Sequence, residues 1–319
     1  MNKKNKFGFR NLGKLNKIMV EPANLCNLYC VGCPNGVGFF ENKPRGAMNF
    51  RQFKKIVDLN KGLTQINLWG MGEPFLAPDA IRMIEYAGKN NIFISVHTNA
   101  NAFNKKTLNQ FINIKTRIAI TFSIDGISQK TYSYYRRGGS FKKAMENLCY
   151  LISLKKKYNL SNMKIIWQFL VMRTNEHKIP QAYEIAKKIK VDKLKIKTIN
   201  IDPKSGNLDS FKPDKYLKYL KKKDKWEKEE GYKIIKENKC EYMDPGSVFI
   251  LWDGKVVPCC YDYKRSCILG DAFKKSLIDI WNTAKYKKFR ENYKKGKNKL
   301  CANCRFKRKV DIYERRIND

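Results

Sequence analysis

Long apolar runs are absent from this 319-residue chain. None reaches the roughly 18 consecutive apolar residues that a membrane-spanning helix requires, so no integral membrane segment is expected. The N-terminal stretch MNKKNKFGFRNLGKLNK is basic but lacks the apolar centre of a secretory signal, so the expected location is the cytoplasm. Histidine is scarce: His97 and His177 are the only two, which leaves a mixed Cys–His zinc site short of ligands. Acidic residues are outnumbered, 29 Asp plus Glu against 66 Lys plus Arg, for a net charge of +37. A compositional bias toward lysine accounts for such an excess, and so does a polyanionic partner or an anionic membrane surface; a peripheral membrane contact stays open. The basic residues are spread along the whole chain with neither a repeat nor an RNA-binding signature, which argues against a dedicated nucleic-acid module.

Cysteine, by contrast, is abundant, with ten residues. Structural disulfides are rare in the cytoplasm, so this number points to metal or redox chemistry. Hydrophobic residues make up 43 %, enough for a packed core. The length suits one large domain and a small one.

Up to about residue 200, short apolar runs alternate with amphipathic stretches. The strand candidates are KIMVEP (17–22), QINLWG (65–70), IFISVHTN (92–99), RIAITFSID (117–125), KIIWQFLVM (164–172) and KLKIKTINI (193–201). Helical periods lie between them, at 49–60, 77–91 and 140–158, with Cys149 expected in the core of the last. Strand–helix alternation of this kind makes a parallel sheet with helices outside, here a partial (β/α)6 TIM-like barrel whose chemistry sits at the strand C-termini. The expected divisions are a core over 1–205, a charged helical connector over 206–238 and a cysteine-rich module over 239–319, which holds six of the ten cysteines.

The first strand runs into NLCNLYCVGCP, where Cys26, Cys30 and Cys33 fall within eight residues. Three thiolates leave one position of a metal centre open, which suits a catalytic cluster better than a structural ion. Zinc, or free buried thiols, are the competing readings. Cys-x3-Cys-x2-Cys after the first strand resembles the signature of the radical S-adenosylmethionine (radical SAM) enzymes. The resemblance implies a 4Fe–4S cluster on these three residues, with SAM on the fourth iron.

Further motifs extend the resemblance over about residues 15 to 200. WGMGEP (69–74) is similar to the family's Gly-Gly-Glu motif, with Met71 in place of the first glycine; Gly70, Met71, Gly72 and Glu73 are thereby implied to receive the SAM ammonium on backbone carbonyls. HTNA (97–100) resembles Thr-Asn-Gly and adds Thr98 and Asn99. SIDG (123–126) brings Ser123, expected on the methionyl carboxylate or ribose, and Asp125. Arg136 or Arg137, in YYRRGGSF, is expected to pair with that carboxylate. Gly32 departs from the aromatic residue usual before the third cysteine.

Near the C-terminus, Cys240, Gly254, Cys259 and the pair Cys301 and Cys304 resemble a SPASM/twitch iron–sulfur extension. With no cysteine after Cys304, one auxiliary 4Fe–4S cluster is implied, on Cys240, Cys259, Cys301 and Cys304. A closed set of this kind passes electrons rather than binding substrate. A zinc ribbon is the competing reading, and Cys260 and Cys267 are expected as packing residues.

The resemblance implies reductive cleavage of SAM to a 5′-deoxyadenosyl radical, with an external electron donor such as flavodoxin or ferredoxin. Two-electron oxidation of a small sugar- or lipid-like substrate is the first expectation, by similarity to one-auxiliary-cluster dehydrogenases of the family. Peptide or protein modification is the alternative, held back because no peptide-recognition domain precedes residue 17. A basic iron–sulfur protein that binds nucleic acid without turnover is a third reading. If the charge serves recognition, Lys195 and Lys197 are the expected contacts for an anionic substrate, since period-two alternation puts both on one face of the sixth strand.

Overall fold

The computed structural model describes residues 15–199, 211–219, 227–229, 240, 247–302, 304 and 312–317. Six parallel strands form its centre: β1 (Lys17–Val20), β2 (Gln65–Leu68), β3 (Phe93–Thr98), β4 (Ile118–Ser123), β5 (Met163–Val171) and β6 (Lys193–Thr198), adjacent in chain order. Between them run α1 (Phe50–Leu59), α2 (Ala80–Lys89), α3 (Lys105–Gln110), α4 (Gln129–Ser133), α5 (Phe141–Lys157) and α6 (Ile179–Ile189). This is the expected barrel-like parallel sheet, and the strand bounds fall within a few residues of the apolar runs.

Local chemistry sets the helix starts. Asn49 and Gln52 make a reciprocal capping box on α1, and the Ser140 hydroxyl accepts from the Lys143 N–H on α5. Alternation divides the strands into two faces. Ile94 and Val96 of β3, and Leu194 and Ile196 of β6, join the buried core with Phe53 and Ile56 of α1 and Leu148 and Leu151 of α5. Each such side chain contributes about 1.5–3 kcal/mol when fully buried. The opposite face, with Asn67, Ser95, His97, Thr121, Gln168, Lys195 and Lys197, lines the barrel interior.

Cys149 is a correction. It is exposed, because the buried stripe of α5 runs through Ala144, Leu148, Leu151 and Leu154, and Cys149 lies about 100° round the helix from Leu148.

The sheet also extends beyond the six expected strands. On the β1 side, β8 (Phe249–Ile250) pairs parallel to β1, with Met19 opposite Phe249 and Val20 opposite Ile250. Strands β9 (Lys255–Val257) and β10 (Gly270–Asp271) follow antiparallel. On the β6 side, β11 (Ile312–Arg316) pairs antiparallel to β6, and β7 (Glu227–Glu229) to β11. Open edges of a parallel array leave unpaired N–H and C=O groups, and the C-terminal segment satisfies them on both sides. Four further α-helices follow β6 in the described chain: α7 (Tyr216–Tyr219), α8 (Leu277–Trp281), α9 (Ala284–Lys294) and α10 (Lys299–Ala302). The connector expected over 206–238 lies largely outside the described residues, as does the basic N-terminus.

Candidate functional site

The loop after β1 is held against the ends of β2, β3 and β4 by specific hydrogen bonds. Glu73, 2 % exposed, is the hub. Its N–H donates to Leu25 O at 2.7 Å, Oε1 accepts the Thr98 hydroxyl at 2.7 Å, and Oε2 accepts the Asn99 N–H at 2.7 Å. Burial pushes its carboxyl up to about 7, against those donors. Gly72 fits because a Cβ there would lie 2.3 Å from Ala23 O and 2.4 Å from Leu25 O. Gly32 has φ +70°, left-handed backbone that an aromatic residue disfavours, which explains the departure from the usual residue. Ala100 also sits at positive φ, 63°, at the place of the family's glycine. Its N–H donates to Thr98 Oγ1 at 3.0 Å and its carbonyl accepts from Asn147 at 2.8 Å.

The three thiols of the loop lie within one another's electrostatic reach. Burial pushes Cys30 up to about 12, with Arg136 acting against it and Cys33 and Cys26 adding to it. Burial raises Cys26 as well. Two N–H donors are aimed at sulfur: Asn99 Nδ2 lies 3.8 Å from Cys26 Sγ, and Arg136 Nη1 lies 3.9 Å from Cys30 Sγ. Among the described residues, no three His, Cys, Asp or Glu side chains gather on a single metal ion. The fit to an iron–sulfur cluster therefore rests on the donor set: three neighbouring thiols, a guanidinium and an amide that favour thiolate over thiol, and coupling of metal binding to proton loss.

Asp125 and Arg136 form a buried pair. Arg136 Nε donates to Asp125 Oδ2 at 2.6 Å, the side chains are 12 % and 0 % exposed, and the Leu170 N–H donates to Asp125 Oδ1 at 2.7 Å. Burial raises the Asp125 carboxyl, and Arg136 opposes the shift. Arg137 is exposed, and its backbone links the loops: its carbonyl accepts from the Tyr29 N–H at 2.9 Å and its N–H donates to Tyr135 O at 3.1 Å. Ser123 is buried at the end of β4, beside Gln168 in register. In the barrel interior Trp69 and His97 stack with ring centroids 4.3 Å apart. Burial, then Lys197, Lys195 and Arg136, pull His97 down to about 3, so its imidazole is neutral. Lys195 and Lys197 thus face the interior, and β6 is not an edge, because β11 covers it.

In the C-terminal segment, Cys240, Cys259 and Cys260 pack against Met19, Phe249, Leu251 and Val257. Burial raises Cys259 strongly, and Cys260, Cys240 and Cys304 reinforce the shift. Cys301 opens a turn in which its carbonyl accepts from the Cys304 N–H at 3.2 Å. The loop between Cys259 and Cys267 is organised by Asp262, 0 % exposed, whose carboxylate accepts from the Ser266 N–H at 2.9 Å and the Cys267 N–H at 2.8 Å.

The sequence reading missed Glu21, Asn35 and Asp262. Glu21 is a lone acid at the end of an apolar strand run, which is a usable signal; Asn35 and Asp262 act on loop backbone and leave none.

Sequence models of two families match this chain: the radical SAM superfamily over residues 20–166, and the SPASM iron–sulfur cluster-binding domain over residues 240–305. The antilisterial bacteriocin subtilosin biosynthesis protein AlbA of Bacillus subtilis is 25 % identical over 279 residues, 82 % of this chain and 58 % of AlbA. The chain thus spans little more than half of that relative. The tungsten-containing aldehyde ferredoxin oxidoreductase cofactor-modifying protein of Pyrococcus furiosus is 20 % identical, over 92 % of this chain and 88 % of its own. Among solved structures, SuiB of Streptococcus suis bound to S-adenosylmethionine superposes with a TM-score of 0.67 at 16 % identity, covering 94 % of this chain and 72 % of SuiB. SuiB bound to its precursor peptide SuiA gives 0.63 at 15 % identity, covering 94 % and 71 %. The fold, the cysteine loop after β1 and the two family matches agree, and the chain belongs to the radical SAM enzymes that carry a C-terminal SPASM domain, with a 4Fe–4S cluster, auxiliary iron–sulfur and SAM as its cofactors.

Proposed function

We propose that the protein is a maturase that modifies a peptide by radical SAM chemistry. The observation that carries this is the similarity to AlbA, a bacteriocin biosynthesis protein, over 82 % of the chain. The SuiB fold, solved with a precursor peptide, supports it. Oxidation of a sugar- or lipid-like molecule, the first expectation from sequence, gives way to this reading.

In this reading Cys26, Cys30 and Cys33 hold the SAM-binding cluster, and Cys240, Cys259, Cys301 and Cys304 hold the auxiliary one. Gly70 to Glu73 present backbone to the SAM ammonium, while Thr98 and Asn99 brace Glu73 beneath it. Ser123 faces the methionyl or ribose end. Asp125 holds Arg136 so that its guanidinium lies over Cys30. When bound and reduced by an external donor of flavodoxin or ferredoxin type, the cluster with SAM would supply the radical chemistry that takes one hydrogen atom from the substrate. The chain's own task is then to place one C–H bond of the peptide and to exclude water, with neutral His97 and Trp69 lining the interior.

The test is anaerobic incubation with SAM, dithionite and synthetic peptides encoded by short reading frames beside the gene. Release of 5′-deoxyadenosine that a peptide accelerates, together with a mass change in that peptide, is the expected result. Release stimulated by small alcohols and by no peptide would restore the dehydrogenase reading.

A further inference from the structure

Glu21 follows directly on β1 and is 2 % exposed. Its N–H donates to Ile250 O at 2.8 Å, which carries the β1–β8 pairing one residue past the strand. Its carboxylate lies between two loops. Oε1 accepts the Met71 N–H at 2.8 Å, and Oε2 meets the Trp252 N–H at 3.4 Å. The first loop is Gly70–Glu73. The second is the turn at Trp252–Gly254 of the SPASM domain, closed by Gly254 N–H to Leu251 O at 2.8 Å and by Arg265 on Asp253 at 2.6 Å. Gly70 lies against Glu21, since a Cβ there would come within 2.5 Å of its Cγ.

The geometry has a consequence for the peptide between Gly70 and Met71. A trans peptide is planar, with N–H and C=O on opposite sides. Fixing the Met71 N–H toward Glu21 therefore aims the Gly70 carbonyl away from Glu21. On the other side of Met71, Asn35 Nδ2 donates to its carbonyl, so the loop is held from both directions.

We propose that Glu21 is a positioning residue that ties the docking of the Trp252–Gly254 turn to the aim of the Gly70 carbonyl, and so couples SAM affinity to the seating of the SPASM domain. The proposal rests on the reading that Gly70–Glu73 receives the SAM ammonium. By linkage the coupling runs both ways, and bound SAM tightens the turn.

Burial pushes the Glu21 carboxyl up to about 7, opposed by the Met71 and Trp252 N–H groups and by Arg265, and reinforced by Asp253. Arg265 and Asp253, both from the SPASM side, are the charged groups that face it; the Gly70–Glu73 loop contributes the Met71 N–H and carries a second raised carboxyl, Glu73, at its far end. The ionised form accepts the two N–H bonds more strongly than the protonated form. SAM affinity should therefore rise as pH passes upward through about 7.

The experiment uses the reconstituted full chain, with SAM as the probe, in the wild type, Glu21→Gln and Glu21→Ala. Hydrogen exchange by mass spectrometry reads peptides covering Met71 and Trp252, and equilibrium dialysis reads the SAM dissociation constant from pH 6 to 8.5. In the wild type, SAM should slow exchange at both loops. In Glu21→Ala it should no longer protect Trp252, and affinity should fall about tenfold, the scale of one charge-assisted hydrogen bond. Glu21→Gln keeps the side-chain volume and one acceptor; it should bind SAM more weakly and with a smaller step near pH 7, the remainder belonging to Glu73, whose carboxyl is also pushed up to about 7. Variants that bind SAM like the wild type with its pH profile, or a wild-type Trp252 segment indifferent to SAM, overturn the coupling alone. A wild type that binds no SAM at any pH overturns the reading of the loop, and the coupling with it.

Discussion

Replacing Asp125 with alanine leaves the Arg136 guanidinium buried without its partner, and arginine cannot shed its charge. Breaking a buried pair from one side costs about 3–5 kcal/mol. The Leu170 N–H loses its acceptor at 2.7 Å as well, a further cost of about 1–3 kcal/mol that overlaps the first. A total near 5 kcal/mol lowers the folded-to-unfolded ratio by between three and four powers of ten, at about 1.4 kcal/mol for each. The reverse change, Arg136→Met, behaves differently, because an unpaired carboxylate can take up a proton. Relative to the ordinary Asp value of 3.8, keeping that proton at higher pH costs about 1.4 kcal/mol per unit. The folded-state pKa is raised, so stability is lost as pH rises. Arg136→Met should thus be milder near pH 5 than at pH 7. The cost of Asp125→Ala should change little over the same range. Urea unfolding of the metal-free proteins at both pH values, followed by circular dichroism and by the fluorescence of buried Trp167, measures both variants. Equal pH dependence in the two variants, or a loss below about 1 kcal/mol in Asp125→Ala, would refute the account of this pair.

Three other outcomes are expected. Two 4Fe–4S clusters give about eight irons per chain after anaerobic reconstitution, and the triple change of Cys26, Cys30 and Cys33 to alanine leaves about four; iron analysis giving four in the wild type would remove the second cluster. Glu21 has a folded pKa near 7 against 4.5, so the wild type should lose up to about 3 kcal/mol relative to Glu21→Gln as pH climbs from 4.5 to 7, checked by parallel unfolding curves. Lys197→Ala should raise the Michaelis constant of an acidic peptide and flatten its dependence on salt between 50 and 500 mM, because Lys197 faces the barrel interior; a constant indifferent to both would make the charge of +37 compositional.

The strands were legible because their buried residues alternate or run without a break, as in β4, where all six residues Ile118–Ser123 are buried. Helices α1 and α5 announced themselves by period and by their caps Asn49 and Ser140. Strands β8 to β11 were not legible: two to five residues carry too little pattern, and their partners lie far away in sequence. The cysteine loop was visible through spacing alone. Which arginine enters the site was not, since Arg136 and Arg137 are chemically identical neighbours, and only the fold decides that the first reaches Asp125 while the second meets solvent. Cys149 misled for a related reason, because an apolar helix looks buried all round until its neighbours define one side.

The late arrival of both sheet borders bears on how the protein is made. Strand β1 waits for β8, about 230 residues on, and β6 waits for β11, about 110 residues on. At ribosomal speeds of about 5–20 residues per second, the nascent barrel holds its β6 border open on the order of ten seconds. Contacts this distant also slow the final closure, since loop entropy is lost before any pairing is gained. The barrel portion is therefore a poor unit to produce alone: a fragment stopping near residue 200 carries two bare sheet borders, and chains of that fragment are expected to associate through them.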